Sequence, residues 1–524
     1  MRIDCVYSIS SCTSCSNCGD QEKGVNHVAG EISSLREGDI PFFHAEAGSH
    51  AVMGADGTSY QHALTSSAME RALARIQSLD EAHRTFCVEV LDANLHRAYL
   101  PDDTFIPPRD RSATPLTSRE TIAAAHEVFW DLEKLVLHAP SGEASWLFRN
   151  AKYGILMSST VSLADGLGGV AVFLATLAAR TNNSQTRKRA LLRIHDCLSR
   201  IDTALALLEE VPVVLEASVP WGLASGIGGV VRSLDHMVRE LGHRDGFGQE
   251  AQRSEGLLLR LLSIVERCDI EHALHAGVYD GLSGLLLAIG GCHAIRQEPR
   301  TRTVAERLVR RLLEIRNLAA KDGTILWRTG DAKWPVSGFG HGQAGIAAAL
   351  ATAAEAFELD VADAVRDALA WEVHTYDEKL GSWPDLRESP LSTTCMHGIC
   401  SGAPGIGLAS LMAARLDNVA VRELAHALLE LSDRACLELV PPSRDTLCCG
   451  GLAVAEYLLT RGLRAEAGGI IAGTVGRRRS LGGYVFTHDG MRMTDEPDLF
   501  DGLSGVGYAL LRYADPNTCS LFVL

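Results

Sequence analysis

"DGLSGLLLAI", residues 280–289, joins a polar residue, a Gly-x-x-Gly turn and an apolar run with helical spacing. The pattern returns as "DGLGGVAVFLATL" from Asp165, "SGIGGVVRSL" from Ser225, "HGQAGIAAAL" from His341, "SGAPGIGLASL" from Ser401, "CGGLAVAEYLL" from Cys449 and "DGLSGVGYALL" from Asp501. The first glycines are residues 166, 226, 281, 342, 402, 450 and 502, a period of 48 to 61 residues, which leaves room for two helices per copy. The sixth copy replaces its second glycine with Ala453. Stretches between copies, such as "RTVAERLVRRLLEI", read as amphipathic helices. Strand-like alternation is nearly absent, apart from a short hairpin expected around residues 483–490. Seven helix pairs that each bury a face against their neighbours make a ring or a superhelix. The expected fold is all-α, a closed α/α toroid of seven inner and seven outer helices. Its glycines are expected to permit the turn into each inner helix and a close approach of backbones.

The residue before each first glycine is never apolar: Asp165, Ser225, Asp280, His341, Ser401, Cys449 and Asp501. Asp and Ser suit helix caps, because their oxygens accept the unpaired N–H groups of a first turn. That accounts for most of the seven but not for His341 and Cys449, nor for Cys400 and Cys448 one residue upstream. On a ring, copies four, five and six are neighbours and deliver these four side chains to one mouth. Three thiolates suit Zn²⁺ and leave a fourth ligand position open, and helix N-termini favour the thiolate form. The alternative is a buried, inert set of thiols.

Composition narrows the function classes. The chain has 524 residues, 46% hydrophobic and 22% charged, with 49 glycines against 17 prolines, as in a large globular protein. A net charge of -16 argues against nucleic-acid or anionic-membrane partners, which need clustered Lys and Arg. No apolar run reaches the roughly 18 residues of a membrane span, and the opening "MRIDCVYSIS" lacks a basic region followed by an apolar one, so a cytoplasmic location is expected. In that compartment the 14 cysteines are more suited to metal binding or catalysis than to disulfides.

"GFGHGQAGIAAAL", "CSGAPGIGLASL", "LCCGGLAVAEYLL" and "LFDGLSGVGYALLR", in this order, resemble the lanthionine synthetase cyclases, from about Trp146 to Leu524. The resemblance implies an α/α toroid with zinc at its mouth. Upstream, "EISSLREGDIPFF" at 31–43 looks like the end of the dehydratase domain of class II lanthipeptide synthetases, and the stretch from Ala68 to Ala139 looks like the connector. The implied organisation is a Cys-rich, disordered residue 1–28 segment, a dehydratase remnant and connector over 29–140, and a cyclase over 141–524. No phosphate-binding Gly-rich loop or kinase-like catalytic loop is found, so dehydration is not expected from this chain.

The implied activity is addition of a precursor peptide's Cys thiol across dehydroalanine or dehydrobutyrine, forming a lanthionine or methyllanthionine ring. Its implied partners are a precursor with a leader and a Ser, Thr and Cys-rich core, and a separate dehydratase. Position by position, Cys400, Cys448 and Cys449 match the zinc ligands, with Cys449 where His is usual, and His341 matches a proton-shuttling His. Three positions depart from the pattern: Gly277 stands where Asp is common, Met396 where Arg is frequent, and Ile399 where Trp precedes the first zinc Cys. Asp280 either substitutes for the missing Asp or caps its helix, and the cap is the expected role. Cys395 and His397 are read as loop residues near the mouth. Cys12, Cys15 and Cys18 either bind a second metal or lie in a disordered segment; the composition favours disorder. Two other functions fit the same residues. One is addition of a small thiol such as glutathione to dehydrated proteins, and the other is a non-catalytic peptide-binding scaffold.

Overall fold

The computed structural model of the chain describes residues 43–54, 57–61, 63–97, 113–140, 142–149, 156–210, 220–242, 244, 246–319, 326–329, 333–486 and 495–523. The expectations for residues 1–28, including Cys12, Cys15 and Cys18, and for the dehydratase-like stretch before Phe43 fall outside these.

Contacts divide the chain into two compact units, Met1–Glu89 and Val90–Leu524. In the first, strands β1 (Phe43–His44), β2 (Val52–Gly54) and β3 (Ser59–Tyr60) form an antiparallel sheet. Helix α1 (Ala68–Gln77) starts at a capping box, Ser67 Oγ accepting from the Glu70 N–H at 3.2 Å while Glu70 accepts from the Ser67 N–H at 2.8 Å. Helix α2 (Glu81–Arg97) runs past the boundary.

The second unit opens with α3 (Ser118–Lys134), capped by Thr117 and Glu120, followed by two small hairpins, β4 (Leu137–His138) with β5 (Ala144–Ser145) and β6 (Leu147–Arg149) with β7 (Leu156–Ser158). Inner and outer helices then alternate. The inner ones are α4 (Leu167–Arg180), α6 (Ile227–Leu241), α8 (Leu282–Gly291), α10 (Gln343–Phe357), α12 (Ala403–Ala413), α14 (Gly451–Thr460) and α16 (Leu503–Ala514). The outer ones are α5 (Ser184–Glu210), α7 (Gly248–Glu266), α9 (Pro299–Ala319), α11 (Ala362–Thr375), α13 (Val419–Glu438) and α15 (Arg464–Leu481).

Each inner helix touches the next, and α16 returns to α4, so the fold is a closed α/α toroid. The seventh outer helix is α3, which comes from the stretch read as connector and packs on α16, with Ser118 Oγ donating to the Ala514 carbonyl at 2.9 Å. The inner helices are largely buried, and all ten residues of α8 are, whereas α6 also buries Arg232, Asp235, His236 and Glu240. The segment after α16 fills the bore, where Phe522 meets Phe500 and Phe339 at ring separations of 5.9 and 6.3 Å.

One position per copy closes the mouth. It is the residue two before the first glycine: Ala164, Ala224, Tyr279, Gly340, Cys400, Cys448 and Phe500. Each carbonyl here accepts an N–H from the preceding copy. Ala164 donates to Ala224 at 2.9 Å, Ala224 to Tyr279 at 3.0 Å, Tyr279 to Gly340 at 3.0 Å, and Gly340 to Cys400 at 2.9 Å. Ile399 donates to Cys448 at 2.7 Å, Cys448 to Phe500 at 3.1 Å and Phe500 to Ala164 at 3.2 Å, which completes the circle. Loop backbones in a buried place need such partners, and the neighbouring copies supply them.

The glycines serve close approach more than turn conformation. At the second glycine of six copies an added Cβ would stand 1.8 to 2.4 Å from the carbonyl oxygen of the residue six before it, for example Phe339 O for Gly345. Of the first glycines only Gly402, at φ 134°, needs a conformation that disfavours side chains. The capping expectation is overturned. The first glycine is itself the N-cap in all seven copies, and the residue before it, Asp280 included, is not the cap of its helix. Of the expected hairpin at 483–490, the described residues 483–486 form no strand, and 487–490 lie outside the described residues. No described helix is long and apolar enough to cross a membrane.

Candidate metal centre

Copies five and six are consecutive on the ring, so the closed mouth brings Cys400 against Cys448 and Cys449. The Sγ atoms of Cys400 and Cys449 lie 2.8 Å apart and those of Cys448 and Cys449 3.3 Å apart, and all three fall within 4.8 Å of one another. Cys400 and Cys448 are buried, while Cys449 is partly open to the mouth. Cys197 and Cys292 stand apart from this cluster, where burial raises their pKa. Among the described residues this trio is the one group of three or more His, Cys, Asp or Glu side chains able to hold a metal.

Three thiols so close cannot titrate independently. Hydrogen bonds from Cys448 and Cys449 pull Cys400 well below the usual thiol range, and the Arg387 guanidinium adds to this. The same bonds to Cys400 push Cys448 up. Negative charge is thereby gathered on one sulfur with two more beside it, a set of soft donors that a cation would satisfy.

Sequence reasoning missed Tyr279. Its hydroxyl lies 2.7 Å from Cys448 Sγ, and its ring stands between His341 and Phe500, with centroids 5.0 and 5.6 Å away. Burial, then the neighbouring thiols, pushes its pKa well up, so the phenol stays protonated and able to donate to sulfur. The signal was present, since Tyr279 holds in copy three the position that Cys400 and Cys448 hold in copies five and six.

His341 lies in copy four. Burial lowers its pKa, against an opposing pull from Cys400 and Asp280. The imidazole is therefore neutral near pH 7. Its loop is pinned from outside the ring by Glu372 of α11, whose Oε1 accepts from the N–H groups of Gly338 at 3.1 Å and Ala344 at 2.8 Å. Burial raises the Glu372 pKa to about 8. Asp280 is half-buried, with Oδ1 3.4 Å from where a Cβ on Gly277 would stand, so its carboxylate lies over the place left by that glycine.

A strap between α11 and copy five also reaches the mouth. It is held by the Asp385 N–H donating to Thr394 O at 2.7 Å and by a bridge between Pro384 and Cys395. From it Arg387 forks onto Asp385, with Nε to Oδ1 at 2.9 Å and Nη2 to Oδ2 at 2.7 Å, and donates to Met396 Sδ at 2.6 Å. A guanidinium thus stands against position 396 although the residue there is Met. Cys395 and His397, 3.5 Å apart between Sγ and Nε2, lie in the loop before Cys400 and outside the thiol cluster.

The family model described as lanthionine synthetase C-like protein matches residues 158–523, more than two thirds of the chain. This chain belongs to that family. The match takes in all seven copies and begins after α3, so the outer helix that completes the double ring precedes the residues matched to the lanthionine synthetase C-like model. Among solved structures, one titled nisin cyclase is similar, at 15% identity over 69% of this chain and 90% of that one, with a TM-score of 0.46. No curated protein matches the chain.

Proposed function

We propose that this lanthionine synthetase C-like protein is a zinc-dependent cyclase that adds a Cys thiol of a ribosomally made precursor peptide to dehydroalanine or dehydrobutyrine. The observation that carries the reading is the convergence of three cysteines from adjacent copies at a mouth that also holds His341. In this reading the chain is the cyclase part of a class II synthetase over residues 141–524, preceded over 29–140 by a dehydratase remnant and connector. A separate protein supplies dehydration.

Cys400, Cys448 and Cys449 would hold the zinc. Three soft sulfurs at 2.8 and 3.3 Å from one another are a donor set of the kind zinc takes, and holding an ion would need them to spread to roughly 3.8 Å. When bound, zinc supplies Lewis acidity that favours the thiolate form of an arriving Cys. Tyr279 fixes the Cys448 sulfur through its hydroxyl, as outer partners of metal ligands do. His341, neutral at rest, takes the proton of the arriving thiol and returns it to the substrate's Cα. Asp280, electrostatically coupled to His341, steadies the imidazolium between those events.

The test follows loss of free thiol from a pre-dehydrated, Cys-containing precursor peptide, with an enzyme-free control. Zinc-dependent loss that disappears in Cys448→Ala and slows about 100-fold in His341→Ala is the expected result. A protein that binds metal stoichiometrically yet consumes no thiol from any of several peptides would instead be a peptide-binding scaffold.

A further inference from the structure

Arg387 is the feature of the mouth that this chemistry leaves unused. Its side chain is 36% exposed, and that of its partner Asp385 is 19% exposed. Hydrogen bonding to Arg387 holds Asp385 below the usual carboxylate range, so the pair stays ionic. The fork on Asp385 occupies Nε and Nη2, Met396 Sδ takes a further contact from Nη2, and Nη1 makes no hydrogen bond among the described residues. Arg387 lies within electrostatic reach of Cys400, Cys449 and His341. A purely structural account makes the fork a clasp on the strap. The clasp uses Nε and Nη2 and leaves the Nη1 edge open to solvent and to an arriving substrate.

We propose that Arg387 is a catalytic residue whose Nη1 edge binds the carbonyl oxygen of the dehydroamino acid under attack and holds the charge that gathers there. The proposal rests on the cyclase reading. As the substrate sulfur bonds to Cβ, the Cα=Cβ π bond opens and its electron pair moves through Cα to the carbonyl oxygen, giving an enolate. Arg387 balances that charge while the enolate takes at Cα the proton that His341 removed from the thiol, and the carbonyl reforms. Overall S–H adds across the double bond with no other reactant. Asp385 acts as the positioning residue, aiming the guanidinium by its two-point hold.

The test compares Arg387→Gln, Arg387→Lys and Arg387→Ala in the full chain, using a pre-dehydrated Cys-containing peptide with metal content and melting temperature recorded for each. In Arg387→Gln, kcat is expected to fall about 100-fold with KM changed less than about threefold, as when one preorganised donor to a developing oxyanion is lost. Metal content and melting temperature should hold. Arg387→Lys should recover about tenfold, and added guanidinium should partly restore Arg387→Ala, which a clasp role does not predict. Unchanged kcat in Arg387→Gln overturns the assignment while the cyclase reading stands. Loss of activity only in step with lost metal or lowered melting temperature in all three variants does the same. A wild-type protein with no thiol consumption above the enzyme-free control overturns the cyclase reading and this role together.

Discussion

Copies one and two hold Ala164 and Ala224 at the position where copies five and six hold Cys400 and Cys448, and the backbone does the same work in all four. Each carbonyl accepts an N–H from the copy before it, and each helix begins at a glycine that lies against its own loop. The difference is confined to side chains. At this position copies one and two carry no thiol, imidazole or phenol, whereas the mouth around copies three to six carries the thiol cluster, His341 and Tyr279. A toroid of this kind separates scaffold from chemistry, because a side chain at this position can change while the main-chain ring that holds it stays the same.

Cys448→Ala makes copy six read like copy two at this position, and it has the largest expected effect: complete loss of bound metal and of thiol consumption in a protein that still melts cooperatively. Metal analysis beside a thermal melt checks it, and retained stoichiometric metal would break the comparison. Gly345→Ala attacks what these copies share. Its Cβ would meet the Phe339 carbonyl, and overpacking against backbone costs about 3 kcal/mol. Denaturant unfolding reads this directly, and a loss under about 1 kcal/mol would mean that the loop yields.

Glu372→Gln tests the outside pin on copy four. The folded pKa of Glu372, about 8, lies above its ordinary value of 4.5, so the folded protein holds the proton more tightly. The group's contribution is fully present below pH 4.5 and is lost as pH rises toward 8, at up to about 1.4 kcal/mol per unit. Gln keeps one carbonyl oxygen for Gly338 and Ala344, so the variant's stability between pH 5 and 8 should be flatter than the wild type's. Parallel pH profiles would show that Glu372 titrates normally. Tyr279→Phe, the smallest change, makes copy three read like copy seven, where Phe500 stands. It should weaken metal affinity about tenfold and leave stoichiometry intact, as measured by competition with a chelator. Unchanged affinity would reduce the Tyr279 hydroxyl to a packing group.

The repeat was legible because a second glycine pressed against a carbonyl six residues back allows almost nothing else in six of seven copies. The thiols were legible because copies adjacent on a ring must be neighbours. Capping by Asp and Ser was a wrong inference from local propensity. The tight loop closes on glycine, so the residue before it is not the cap, and Asp280 is left beside His341. Tyr279 and Arg387 escaped for different reasons. Tyr279 holds a position readable in the repeat, two before the glycine, but only the ring's hydrogen bonds show that this position faces the thiols, and Arg387 sits on a strap outside the repeat, where no periodicity marks it.

By itself the sequence determined the helical pairs, their number and the three cysteines, since periodicity and spacing are properties of the chain read along its length. Tertiary structure decided three further things. It recruited α3 from outside the repeats to complete the outer ring, set the phenol of Tyr279 on the Cys448 sulfur, and brought the Arg387 guanidinium within electrostatic reach of Cys449. Each depends on segments far apart in sequence meeting in space, and that proximity is fixed only when the ring closes.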